Sequence, residues 1–104
     1  MGLAASQARF LSLTARKSDI EYSGQQTNQT RTQNAYTMAD LVQQLVNDPT
    51  MANTDPTKYG LIENQITLAQ SIDRNLELDL KNIDTQHTEV QTEMDAVKKV
   101  IDKN

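Results

Sequence analysis

Apolar side chains recur at alternating four- and three-residue steps through the second half of the chain. Leu76, Leu80, Ile83, His87, Val90, Met94, Val97 and Ile101 keep this spacing, with His87 the one polar member. A heptad seam of this kind predicts an α-helix with one face turned toward a neighbouring helix. The frame reaches back through Ala69, Ile66 and Ile62, but meets Asp73 at one seam position, where Ile72 moves the apolar stripe sideways. Asp55-Pro56 marks the start: Asp at the N-cap accepts from free backbone amides, and Pro at the first helical position loses no hydrogen bond. No proline follows, so the pattern predicts one long helix over 56–103.

Each seam side chain contributes roughly 1.5–3 kcal/mol when buried, while ordering costs about 1–2 kcal/mol per backbone residue. Most residues of the helix lie outside the seam. Alone it is marginal, and it requires a partner: the N-terminal part of the chain, a second copy, or another protein.

Toward the N-terminus, Leu3, Phe10, Leu13 and Ile20 recur at near-helical spacing, with Leu11 and Ala15 widening the stripe. They predict an amphipathic helix within 1–34 whose apolar face packs on the long helix. Arg9, Arg16 and Lys17 precede the first acid, Asp19, so an export segment and a membrane-surface helix are competing readings. Residues 23–34 are rich in Gln, Asn and Thr, offer little apolar surface, and contain Gly24 as a weak point. Thr37 and Asp40 have the spacing of a capping box, and Met38, Leu41, Val42, Leu45 and Val46 follow as one apolar face. This predicts a short helix over 37–47, then a turn over 48–55 between two Asp-Pro steps.

The rest of the composition narrows the chemistry. With 104 residues, 4% aromatics and 37% hydrophobics, the chain makes one small helical domain without a thick core. Cysteine is absent, which excludes disulfides and thiolate metal sites. The net charge of −4 argues against nucleic acid as a partner. The charge is uneven: +2 over 1–34, −3 over 35–55 and −3 over 56–104, which sum to −4. No apolar run has the length of a membrane span, and the N-terminus lacks the apolar core of a secretory signal. The expected location is the cytoplasm, or outside it by another export route. Met1-Gly2 with Ser6 matches a myristoylation pattern, which is short and common by chance.

No catalytic constellation is visible, and neither enzyme activity nor a cofactor is expected. Asp84 and His87 share a helix face, as in di-iron bundles, but one such step does not make a metal site. The expected role of His87 is to pin helix register. A buried neutral imidazole there would also make the seam acid-sensitive.

The N-terminal run from Gly2 to Lys17 (GLAASQARFLSLTARK), continuing through Glu21-Tyr22 and Gly24-Gln25-Gln26, resembles the opening of a group of uncharacterised bacterial proteins. The segment from Leu76 to Asn104 is similar to the coiled-coil closing helix of the same group. A looser resemblance is to flagellar and type III secretion needle subunits, which pair terminal helices and lack cysteine. These resemblances imply a helical assembly protein and bring no activity with them.

The expected fold is therefore all-α: an elongated helical hairpin or coiled coil with one long C-terminal helix. The expected function is structural and non-enzymatic, self-associating through the seam, with an exported or envelope-associated bacterial assembly as its setting. The alternative is a coiled-coil adaptor or chaperone that offers the seam to another helical protein.

Overall fold

A computed structural model describes residues 2–103, and every regular element among them is helical. Helix α1 spans Leu3–Asn47, α2 Met51–Thr54 and α3 Pro56–Asp102. The chain is all-α, with long helices of 45 and 47 residues.

The ends of these helices follow local chemistry. Pro49 disfavours helical geometry at Asp48, and α1 stops at Asn47. The Asp55 carboxylate accepts a hydrogen bond from the Lys58 amide at 3.2 Å, and Pro56 opens α3. The expected turn over 48–55 also holds the single helical turn α2. There Met51, 3% exposed, packs with Leu41 and Ile62, so a residue of the connection becomes core.

One predicted boundary is absent. The separate helices expected at 1–34 and 37–47 are a single helix. Thr37 caps nothing; its hydroxyl donates to the Gln33 carbonyl one turn earlier, at 3.1 Å. The polar stretch stays helical because α3 packs along it and supplies hydrogen-bond partners, which outweighs weak intrinsic propensity.

Packing divides the chain into two compact units. In the first, the chain up to Gln26 packs with the chain from Asp79 onward. Leu13, Ile20, Val90 and Met94 form its buried core, flanked by Phe10, Ile83 and Val97. The second, Thr27–Leu78, is a hairpin closed by α2. Leu41, Met51 and Ile62 form its core, with Leu45, Tyr59 and Ile66 packed against them. Within each unit the helices are antiparallel. Arg9 meets Glu93 and Glu21 meets His87 in the first; Arg31 meets Asp73 and Asn34 meets Ala69 in the second.

Exposure along α1 corrects the N-terminal packing face. Apart from Gln44, the least exposed positions are Ser6, Phe10, Leu13, Lys17, Ile20, Gly24, Thr27, Arg31, Asn34, Met38, Leu41 and Leu45. Their spacing is four, three, four, three to the end, the same heptad as on α3. Phe10, Leu13 and Ile20 belong to it as expected. Leu3 falls in phase but lies exposed at the first helical residue, and Leu11 is out of phase and 69% exposed.

Leu13→Ala should therefore cost about 2–4 kcal/mol in urea unfolding, while Leu11→Ala should stay within about 0.5 kcal/mol of the parent. Gly24→Ala should stabilise by about 0.5–1 kcal/mol. An added Cβ there meets Ile83 Cγ2 at 3.5 Å, an ordinary contact.

Candidate functional site

The heptad seam of α3 was the expected interaction site, and α1 of the same chain covers it. Val90 and Met94 are buried, and Leu76, Leu80, Ile83, His87, Val97 and Ile101 are half-buried. In the first unit Ile83, Val90, Met94 and Val97 close against Phe10, Leu13 and Ile20. These residues are thus the joint between α1 and α3. A partner that took over the seam would have to displace α1.

Polar residues occupy several seam positions, and the structure shows how each is accommodated. In Thr27–Leu78, the Arg31 guanidinium donates from Nε to Asp73 Oδ1 at 2.8 Å, and its Nη2 lies 3.8 Å from Glu77 Oε2. Three residues further along α1, Asn34 Nδ2 donates to the Ala69 carbonyl at 2.8 Å. Asp73, which interrupts the apolar frame of α3, is therefore matched by a base at a seam position of α1. The hydrogen bond from Arg31 holds the Asp73 carboxyl below its ordinary value of 3.8, against the opposing effect of desolvation. The same contact raises Arg31. Near the turn, the Glu63 carboxylate raises the Tyr59 phenol above its ordinary value.

In the first unit, His87 Nε2 lies 3.1 Å from Glu21 Oε1, and Lys17 Nζ approaches the same oxygen at 3.9 Å. The imidazole is partly solvated. The buried imidazole that an acid-sensitive seam requires is therefore not present at this residue. Its recorded contact is with Glu21 across the helix pair, not with Asp84 on its own helix. Arg9 and Glu93 form a further pair at 2.7 Å, half-exposed and of small energetic weight. Ser6 is fully buried at a seam position, and its hydroxyl has no hydrogen-bond partner among the described residues.

Among the described residues no three His, Cys, Asp or Glu side chains cluster as a metal site. Among the described residues no helix is long and apolar enough to cross a membrane. An open groove of about 440 Å³ lies beside Phe10, Leu11, Lys98 and Ile101 in the first unit. Sequence reasoning missed Lys17, Gly24, Thr27, Arg31 and Asn34 as seam members, because it searched for apolar residues. The frame running from Ser6 through Phe10, Leu13 and Ile20 to Met38, Leu41 and Leu45 was the available signal. No protein-family model matches the chain, and comparisons with curated proteins and with solved structures find no match.

Two outcomes test the polar seam. A carboxyl depressed on folding contributes stability above its unfolded pKa, and this is lost as pH falls through the folded value. The difference in melting temperature between parent and Asp73→Asn should therefore be full at pH 6 and shrink below pH 3.8. A difference that stays constant down to pH 2 would show that Arg31 and Asp73 are not coupled. Ser6→Ala removes an unsatisfied buried hydroxyl and should raise stability by about 1 kcal/mol in the same urea assay.

Proposed function

We propose that this chain is a structural helical protein, without catalytic activity of its own, that associates with further copies of itself. The observation that carries the reading is apolar surface left over after the seam is closed. A two-helix layer buries one stripe of each helix. Tyr22, Tyr36, Val46, Leu61, Leu68 and Leu78 lie outside it, each with more than half its surface exposed. Single exposed apolar residues are ordinary, but exposed ones at helical spacing, as Val42 with Val46 and Leu61 with Leu68 and Ile72, mark an interaction surface.

The seam residues themselves would hold each unit together, and association would use the outer faces. The adaptor reading requires an available seam, and α1 already packs on it, so it is the weaker of the two. An exported or envelope-associated setting is the extension suggested by the likeness of the terminal helices to axial assembly proteins.

Light scattering coupled to size exclusion, over a wide range of loading concentrations, tests the reading. The mass should rise above the 11.7 kDa of one chain as concentration rises. A mass fixed at one chain throughout would remove self-association and return attention to a foreign partner.

A further inference from the structure

Both long helices pass through a stretch without buried residues. On α1 nothing between Ile20 and Leu41 is buried, and on α3 nothing between Ala69 and Val90. The stretch of α1 holds Gly24 and a run of Gln, Asn and Thr, all of low to middling helix propensity. Loss of one apolar core therefore need not disturb the packing of the other.

The two units also differ in how the chain connects them. The hairpin Thr27–Leu78 is one continuous segment closed by α2. Its cross-helix bonds join residues 35 and 42 apart in sequence, Asn34 with Ala69 and Arg31 with Asp73. The first unit joins the two ends of the chain. There Glu21 and His87 are 66 apart, and Arg9 and Glu93 are 84 apart. While the hairpin is folded, Arg31 with Asp73 and Glu77 holds α1 to α3, and the ends meet without closing a loop. With the hairpin unfolded, the first unit would tie off that whole segment as a disordered loop and carry its entropy cost. The reverse order has no such cost, because the hairpin keeps all of its own contacts when the ends part.

Local chemistry acts in the same direction. The cross-helix ion pairs of the first unit, Arg9 with Glu93 and Glu21 with His87, are half-exposed and weak. Its Ser6 hydroxyl is buried without a partner among the described residues. The hairpin instead has the Asn34 hydrogen bond to the Ala69 carbonyl, and Met51 of its connection is packed into its core.

We propose that the first unit opens in a single step while the hairpin Thr27–Leu78 stays closed. The part of α1 up to Gln26 is then a removable cover on α3. Opening uncovers Ile83, Val90, Met94 and Val97 together. These are seam residues that an adaptor would offer, so the step supplies the access that the closed chain lacks. The inference does not depend on self-association.

Amide hydrogen exchange of the intact chain, at the lowest workable concentration, tests it. Amides at 10–20 and 83–97 should share one protection factor, and those at 38–45 and 59–66 a higher one. Protection that rises smoothly from both chain ends would mean fraying, and one value throughout would mean a single cooperative fold. Either would overturn the proposal. Two matched conservative variants, one in each core, report the order of opening. Ile20→Val should lower protection in both units by the same factor, about fivefold, because the hairpin unfolds only after the ends have parted. Ile62→Val should lower it by a similar factor in the hairpin alone, because the first unit opens with the hairpin intact. A loss confined to the first unit in Ile20→Val would mean that the units open independently. A loss in both units in Ile62→Val would mean that they open together. Each of these results would overturn the proposal.

Discussion

A unit of two packed helices can bury one stripe of each helix, and the rest of each unit depends on that constraint. The stripe must carry all the core there is. It follows a four-three repeat on both α1 and α3, because 3.5-residue spacing keeps one face of each helix on its neighbour. Buried apolar clusters form where the repeat is filled with Leu, Ile, Val and Met. They are interrupted where it is filled with Gly24, Thr27, Arg31 and Asn34, and there packing separates into two units.

The polar members of the seam are more than gaps. Apolar heptads tolerate slippage by one repeat, since one leucine resembles another. Arg31 facing Asp73 has no equivalent one heptad away. A shifted alignment would set a base and an acid against aliphatic side chains, with the desolvation cost and without the hydrogen bonds. These contacts therefore specify alignment more than they add stability, the role a single polar seam residue plays in coiled coils. Glu21 with His87 is a second such contact, with more solvent and less consequence.

The same thinness has a functional consequence. Apolar residues outside the stripe have no third layer to cover them within a two-helix unit. Tyr36, Val46, Leu61 and Leu68 remain in solvent as a result, on helix faces that are otherwise largely uncharged. A face of Gln, Thr and Ala with intermittent aliphatics is easily desolvated, and the proposed self-association rests on that property.

The amino-acid sequence by itself determined the helical class, the start of α3 at Asp55-Pro56, its seam from Ile62 to Ile101, and the chain reversal near Pro49. Each depends on interactions within a few residues: capping, proline geometry and apolar period. It also made Phe10, Leu13 and Ile20 legible as a packing face. Only the tertiary structure decided that α1 runs unbroken from Leu3 to Asn47, that α1 itself closes the α3 seam, and that Met51 is core. The reason is that Lys17, Gly24, Thr27, Arg31 and Asn34 have no local signature of burial. Their place in the seam comes from what stands opposite on α3, and a contact between residues 35 or more apart is not written in the periodicity of either helix.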